Sequence, residues 1–322
     1  MVAVEAAGGW AAREAGAHDP IGRPVKARWL QSSDGRRAVV ELAAASGLSR
    51  LSPSEYAPLT ASTQGTGEVL RAALDAGVRH VVIGIGGSAT NDGGRGLLEA
   101  LGATDDGSRI SLDGLDPRLR EVEIRIACDV TNPLLGPRGA AATYGPQKGA
   151  TPQQVEELDR RLAAWADRLE ASSGRRERET PGAGAAGGVG FGLLCLTDRV
   201  RSLRLEPGVD LVIDETALEA KLEAADIVVT GEGRVDEQTG YGKTALGVAR
   251  RAVASEVACI CVGGGVAPEG IEALAGLGVI VVPVVERPQT VEEAMAAGVD
   301  PVVRCGERIA GLVSVGRDLR NA

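Results

Sequence analysis

A glycine-rich segment near residue 85 has the composition of an anion-binding turn. Gly84-Ile85-Gly86-Gly87-Ser88-Ala89 fits the pattern G-x-G-x-x-G/A between an apolar strand and a helix, where exposed backbone amides can hold phosphate. Asn91 and Asp92 follow and add an amide and a carboxylate suited to a metal-bound phosphate group. We therefore predict a nucleotide-binding role for Gly86, Gly87, Ser88, Asn91 and Asp92, and Asp92 is also a predicted metal ligand. A plain Asp/Asn helix cap remains the alternative.

The same glycine pattern occurs in dinucleotide-binding proteins, so a nicotinamide oxidoreductase is a competing hypothesis. That fold places an acidic residue about 20 positions further on, at the end of a second strand. Here the position falls on Asp105 or Asp106, in a polar loop after a helix. The nicotinamide interpretation therefore fails its context test.

A second segment, residues 231–243, gathers charged side chains after an apolar strand. It is not a Walker loop, because Glu237 stands where the pattern before Gly242-Lys243-Thr244 requires glycine. Phosphoryl transfer needs cations to neutralise the transferred group, and carboxylates to hold magnesium or to take the hydroxyl proton. We predict catalytic roles for Arg234, Asp236 and Lys243, nucleotide contacts for Gly231, Glu232 and Gly233, and a metal-ligand role for Glu232. A solvated charged loop is the alternative.

Asp129 is the best-placed single carboxylate of the chain. It ends the apolar strand Ile124-Arg125-Ile126-Ala127-Cys128-Asp129, and Asn132-Pro133 fixes the turn that follows. We predict that Asp129 is catalytic and a metal ligand, with a structural turn-capping aspartate as the alternative.

The elements that must position these residues alternate between strands and helices. Apolar strands are predicted at residues 80–85, 124–129, 226–230, 257–262 and 279–285, with helices from about residue 65 to 76 and from 94 to 101. This order indicates a doubly wound parallel sheet whose ligands lie beyond the carboxyl ends of the strands. We therefore expect Asp92, Asp129 and Asp236 to converge on one cleft.

Other segments complete the predicted scaffold. Residues 25–30 and 37–42 form a hairpin around Asp34-Gly35, and residues 2–15 are the end of a helix. A capping box at Thr151-Pro152-Gln153-Gln154 begins a long amphipathic helix. Residues 181–188 form a small-residue loop that either closes over a ligand or permits tight packing.

Composition excludes several classes of protein. The 322 residues include 35 Lys and Arg against 44 Asp and Glu, and the net charge of −9 opposes attraction to nucleic acid. Two histidines are too few for most zinc sites and for most histidine-based catalysis. Five cysteines without CxxC spacing indicate reduced thiols and a cytoplasmic protein. The sequence shows no apolar run long enough to span a membrane and no signal peptide pattern.

Taken together, the segments at residues 84–94, 127–135, 145–152, 181–188 and 231–243 closely resemble the bacterial glycerate kinase family, in order and spacing from about residue 5 to the end. The resemblance implies phosphorylation of D-glycerate that depends on ATP and Mg²⁺. It also implies an α/β protein with two domains, one flavodoxin-like and one mixed. We expect the flavodoxin-like domain at residues 62–145 and 205–322 and the second at 1–61 and 146–204, with a homodimer as a further option.

This sequence departs from that family at its beginning. Family members open with a strand leading into Asp-Ser-Phe-Lys-Gly and later carry an Ala-Asp-Gly-Gly-Glu-Gly-Thr loop, and neither motif occurs here. We expect that the start codon was placed too late. The alternative is a truncated, non-catalytic ligand-binding remnant of the same fold.

Overall fold

The computed structural model describes residues 1–237, 239 and 244–321 and divides the chain into two compact units. The first unit is Met1–Val212 and the second is Ile213–Ala322. No helix in the described ranges is both long and apolar enough to cross a lipid bilayer.

The first unit is built around a six-stranded mixed sheet with the order β1-β2-β3-β4-β7-β8. Strand β2 runs antiparallel to both β1 and β3, while β3, β4, β7 and β8 are mutually parallel. The elements in chain order are α1 (Val2–Ala6), β1 (Trp10–His18), β2 (Pro24–Ser32), β3 (Arg37–Glu41), α2 (Ala43–Ser46), α3 (Gln64–Asp75), β4 (His80–Gly84), α4 (Arg95–Ala100), β5 (Thr104–Asp105), β6 (Ile110–Ser111), β7 (Glu123–Ala127), α5 (Ala140–Tyr144), α6 (Pro152–Ser173), α7 (Ala185–Leu194) and β8 (Ser202–Glu206).

The second unit contains a separate three-stranded parallel sheet with the order β11-β10-β9. Helix α8 (Gly208–Glu215) crosses the boundary between the units. The remaining elements are α9 (Leu218–Leu222), β9 (Ile227–Val235), α10 (Thr244–Ala254), β10 (Ala258–Val266), α11 (Pro268–Ala275), β11 (Ile280–Pro283), α12 (Val291–Ala296) and α13 (Asp300–Asn321). The predicted α/β class is confirmed. The structure has a mixed, parallel-rich sheet and a separate smaller sheet.

Local chemistry explains the elements that were predicted well. The side chain of Thr151 accepts a hydrogen bond from the amide of Gln154 at 3.3 Å, and the Gln154 side chain accepts from the Thr151 amide at 2.9 Å. This capping box begins α6, and Gly174 ends it in the left-handed region with φ +78°. The predicted hairpin is confirmed as β2 and β3.

The predicted N-terminal helix is wrong beyond its first turn. Helix α1 ends at Ala6, and residues 10–18 form the edge strand β1, which pairs with β2. Gly8 and Gly9 adopt φ values of +85° and +79°, which end the helix and turn the chain into the sheet. Burial of Ala15 and Ala17 in the core then holds the strand in place.

Strand β9 is longer than predicted. Residues 231–234 were expected in a loop, but β9 runs to Val235 beside a β10 of equal length. Gly231 lies opposite Val262, and a Cβ at Gly231 would lie 2.5 Å from a Val262 methyl. Glycine therefore permits the close strand pairing that extends β9.

The predicted domain boundaries do not coincide with the two compact units. Strand β3 lies in one predicted domain and β4 in the other, yet they pair directly in a single sheet. Helix α6 contributes Leu158, Leu162 and Trp165 to the same core. Shared hydrogen bonds and shared apolar burial therefore join residues 1–61, 62–145 and 146–204. The sequence also predicted one sheet edge for the loops that follow β4, β7 and β9. In the structure β4 and β7 are neighbours, but β9 belongs to the other sheet.

Candidate active site

A cleft of about 480 Å³ lies at the carboxyl ends of the neighbouring strands β4 and β7. Residues 84–88 after β4 and 127–130 after β7 form two of its walls. Tyr144, Gln147 and Lys148 contribute a third, and Ala185 and Ala186 a fourth. The sheet edge named by the sequence pattern thus carries a concave site in the first unit.

The glycine-rich turn after β4 offers backbone amides to this cleft. The Leu48 amide donates to the Gly87 carbonyl at 2.9 Å, and the Ala89 amide donates to the Ser46 carbonyl at 3.0 Å, which fixes the outer side of the turn. Within the described chain, the amides of Gly86, Gly87 and Ser88 have no hydrogen-bond acceptor. Successive unpartnered amides beside a cleft form a nest for an anion.

Asp129 is an exposed carboxylate in the same cleft. Its Oδ1 accepts a hydrogen bond from the Gly208 amide, the first of α8, at 2.8 Å. The following turn is held by Asn132, whose Oδ1 accepts from the Tyr144 hydroxyl at 2.8 Å and whose Nδ2 donates to the Arg138 carbonyl at 2.8 Å. Burial raises the pKa of the Tyr144 phenol. Asp129 therefore accepts a hydrogen bond from the start of α8, which is distant in sequence, and also lies on the cleft wall.

Asp92 lies beneath the cleft and has a structural role. Its Oδ2 accepts from the amide and hydroxyl of Thr63, both at 2.8 Å, and from the Gly96 amide at 3.2 Å, while Oδ1 accepts from the Gly94 amide at 3.1 Å. Burial of the carboxyl raises its pKa despite these hydrogen bonds. The geometry matches the helix-cap alternative and leaves Asp92 poorly placed to bind a metal ion.

Lys148 is a site residue that the sequence analysis did not assign. Its side chain is 1% exposed, and its Nζ donates to the Thr90 carbonyl at 2.6 Å and lies 3.5 Å from Asn91 Oδ1. Burial lowers the pKa of the Lys148 ammonium to about 7. Its motif, Gly145-Pro146-Gln147-Lys148-Gly149, was among the segments that carried the resemblance, but a lysine in a polar loop gives no sign of burial.

Asn91, predicted to contact nucleotide, is buried next to Lys148 and does not line the cleft. Its Nδ2 and the hydroxyl of Thr90 are buried with no hydrogen-bond partner in the described chain. Thr90 and Asn91, which follow the glycine-rich turn, therefore form a buried polar layer beneath the cleft.

The small-residue segment at residues 181–188 does permit tight packing. A Cβ at Gly187 would lie 1.9 Å from the Thr90 carbonyl oxygen, and the Gly93 amide donates to the Gly187 carbonyl at 3.0 Å. Ala186 has φ +54°, an uncommon conformation for a residue with a side chain. This segment locks the two loops together while Ala185 and Ala186 line the cleft.

The remaining predicted residues lie in the second unit. Glu232 Oε1 accepts from the Thr239 hydroxyl at 2.5 Å, and that hydroxyl also accepts from the Asp236 amide at 3.0 Å. Arg234 Nε lies 3.2 Å from Asp236 Oδ2. These residues form a local polar cluster at the carboxyl end of β9, and their convergence with Asp129 stays a prediction. Lys243 lies outside the described residues.

Two cofactor hypotheses can be compared with this geometry. Asp105, the acidic residue about 20 positions after the glycine pattern, lies in the two-residue strand β5 of a separate small sheet, 3.1 Å from Arg168. It does not end a parallel strand beside β4, as the acidic residue of a nicotinamide site does. In the described part of the chain, no group of three or more His, Cys, Asp or Glu residues could hold a metal ion. A Mg²⁺ site here would therefore need oxygen ligands from its substrates, which is common for nucleotide-dependent enzymes.

Comparison with known proteins yields consistent matches. Residues 1–314 match the glycerate kinase family. Glycerate kinase of Bacillus subtilis (strain 168) is 45% identical over 79% of this chain and 72% of its own length, and glycerate 2-kinase of Escherichia coli (strain K12) is 37% identical over 97% and 84%. A crystal structure of a protein assigned as glycerate kinase 2 from Salmonella typhimurium LT2 superposes with a TM-score of 0.84 at 38% identity, covering 98% of this chain and 86% of that one.

Proposed function

The chain belongs to the glycerate kinase family, and from that premise we propose that it transfers the γ-phosphoryl group of ATP to a hydroxyl of D-glycerate, giving phosphoglycerate. Relatives named glycerate kinase support the substrate. The observation that carries the proposal is the cleft, in which a nest of backbone amides and the Asp129 carboxylate share one sheet edge.

The amides of residues 86–88 are suited to an anionic group of either substrate. Backbone N–H groups stabilise phosphoryl oxygens without reorganisation, because the turn is already fixed by its hydrogen bonds to Ser46 and Leu48. Glycine at positions 86 and 87 keeps the approach open, since a Cβ at Gly86 would meet nothing within 4 Å. These residues bind and orient the anion, and the chemistry then depends on charge and proton transfer.

To Asp129 we assign the role of taking the hydroxyl proton or of binding Mg²⁺. Its Oδ1 is anchored by Gly208, which aims the carboxylate from the cleft wall. Asp129 fits a Mg²⁺ ligand of the kind that works with substrate phosphates. Mg²⁺, when bound, neutralises charge that develops on the transferred group. Asp92 does not fit this role, because four donors already occupy its carboxyl oxygens.

Arg234, Asp236, Glu232 and Lys243 remain part of the proposal from sequence. Cations neutralise phosphoryl charge in such reactions, and Arg234 is 75% exposed on its strand. A cytoplasmic location and a possible homodimer also remain predictions. Support for the first comes from the free thiols of Cys128, Cys195, Cys259, Cys261 and Cys305.

The test is ATP-dependent formation of phosphoglycerate by the purified protein, with the 2- and 3-phosphate products distinguished. Asp129→Asn should lower kcat by about 100-fold or more while the protein stays folded. If Asp129 binds Mg²⁺, the apparent affinity for Mg²⁺ also falls. If it is only the base, that affinity is unchanged. A folded wild-type protein that produces no phosphoglycerate with either metal-saturated or metal-poor ATP would leave the non-catalytic alternative standing.

A further inference from the structure

Lys148 is the buried cation of the described chain, and it lacks a counter-ion. Every other Lys or Arg side chain that the structure describes has substantial exposure, whereas Lys148 is 1% exposed. Two buried acids have a cationic partner, Asp19 with Arg23 at 2.5 Å and Glu177 with Arg175 at 2.6 Å, whereas the enclosed Asp92 carboxyl is held by neutral donors. In the described residues, no carboxylate lies within 4 Å of Lys148 Nζ.

Burying an unpaired ammonium costs free energy, and the contacts of Lys148 in the described chain do not offset that cost. Two neutral acceptors, the Thr90 carbonyl and Asn91 Oδ1, serve an ammonium that carries three hydrogens. Neither acceptor supplies the negative charge that offsets desolvation. The enclosed Asp92 carboxyl acts on Lys148 only at longer range, and burial outweighs its effect.

Lys148 lies on the wall of the cleft, where a bound anion would supply the negative charge that its ammonium lacks. It lines the cleft together with the turn at residues 86–88, whose amides also lack acceptors in the described chain. The Lys148 loop is fixed by backbone hydrogen bonds from the Lys148 and Gly149 amides to the carbonyls of Gly145 and Pro146, each at 3.0 Å. A fixed cation on one wall of the cleft and unpartnered amides on another complement an anion with several oxygens.

We infer that Lys148 is the counter-ion of the anionic group bound in this cleft, which is either the carboxylate of the hydroxy acid or the phosphoryl group in transfer. The inference rests on the proposed function for the identity of these groups. It adds a charged residue to a site whose other wall residues are neutral or acidic in the described chain. It also gives the segment at residues 145–149 a chemical role.

Two variants separate charge from structure. Lys148→Met keeps an unbranched side chain of similar length and removes both charge and donor. Lys148→Gln keeps a donor for the Thr90 carbonyl and removes only the charge, and it replaces the Met variant if that variant does not fold. Lys26→Met is the control, because Lys26 is 80% exposed and its ion pair with Glu14 spans 3.3 Å.

The measurements are kcat, KM for D-glycerate and KM for ATP. Loss of a charge-assisted contact corresponds to about a 10- to 100-fold effect. An increase of that size in KM for glycerate alone assigns Lys148 to the carboxylate. A decrease of that size in kcat with both KM values unchanged assigns it to the transferred phosphoryl group. Values within twofold of wild type in a folded variant, or full rescue by Gln, would overturn the inference.

A binding experiment keeps the inference separate from the proposed function. Inorganic phosphate and D-glycerate are titrated into wild type, Lys148→Gln and Lys26→Met by calorimetry. If wild type shows no kinase activity yet binds either anion, and Lys148→Gln binds it at least tenfold more weakly, the proposed function fails and the role of Lys148 stands. Equal anion binding by wild type and Lys148→Gln, or no anion binding by wild type, rejects the role of Lys148.

Discussion

Thr63 donates both its amide and its hydroxyl to one carboxyl oxygen of Asp92, each at 2.8 Å. The Thr63 hydroxyl also accepts a hydrogen bond from the Leu97 amide at 2.9 Å. This pair therefore joins the N-terminus of α3 to the first turn of α4. A side chain that the sequence suggested for metal binding instead fixes the floor of the cleft.

Asp92→Ala should destabilise the protein by roughly 3 kcal/mol or more, because four buried donors lose their acceptor together. Urea unfolding at neutral pH measures the change. Glu121→Ala is the control, since its side chain is 66% exposed and its ion pair with Arg79 spans 3.2 Å. The control should change stability by no more than about 0.5 kcal/mol. Equal unfolding midpoints for the two variants would contradict the structural role of Asp92.

Local sequence signals predicted the elements with self-contained chemistry. The capping box at Thr151 and the hairpin turn at Asp34-Gly35 each depend on residues within a few positions of one another, and both were correct. The end of β9 could not be predicted from the residues that are close to it in the sequence. It depends on pairing with Gly263, Gly265 and Val266 of β10, about 30 positions away in the sequence.

The site followed the same division. The positions of residues 86–88 after β4 and of Asp129 after β7 were predicted, because strand ends can be located from apolar runs, while their binding roles stay predictions. The burial of Lys148 was not predicted, and the structural role of Asp92 was only the alternative, because both depend on contacts with Thr90 and Thr63. Whether a carboxylate or an ammonium faces solvent or a neighbouring loop is a property of the packed structure.

Gly187→Ala should destabilise the protein far more than a glycine substitution in open space. At Gly187 an added Cβ would lie 1.9 Å from the Thr90 carbonyl oxygen, on a backbone with φ +71°. Gly136→Ala is the matched control, because its φ is +82° and its Cβ would meet nothing within 4 Å. We expect about 1 kcal/mol for the control, from backbone strain alone, and at least about 3 kcal/mol or failure to fold for Gly187→Ala. If thermal or urea unfolding shows similar losses of stability for both variants, the contact between Gly187 and Thr90 accommodates the added Cβ at little cost.

Because the Lys148 ammonium is buried, the free energy of unfolding should depend on pH. Its pKa is about 7 in the folded protein and 10.5 in the unfolded chain, so the unfolded chain binds more protons between those values. The contribution of Lys148 to stability therefore rises with pH above about 7, by at most about 1.4 kcal/mol per pH unit. Lys148→Met should exceed wild type in stability most at pH 6, and the difference should narrow by pH 9. A difference that is constant with pH, or that matches the Lys26→Met control, would contradict the buried ammonium.

Arg234→Ala should lower turnover with little effect on folding. The side chain is 75% exposed and its ion pair with Asp236 spans 3.2 Å, so its loss should change the free energy of unfolding by less than about 1 kcal/mol. If Arg234 neutralises the transferred phosphoryl group, removing it should lower kcat by about 100-fold. Lys243→Ala is expected to act in the same direction from its place in the sequence.

Arg160→Ala is the matched control, because Arg160 is 76% exposed and pairs with Glu157 at 2.6 Å on α6. Steady-state rates at saturating ATP and D-glycerate decide the question: if Arg234→Ala and Arg160→Ala retain the same turnover, Arg234 is an ordinary surface residue and the cluster at the end of β9 takes no part in the reaction.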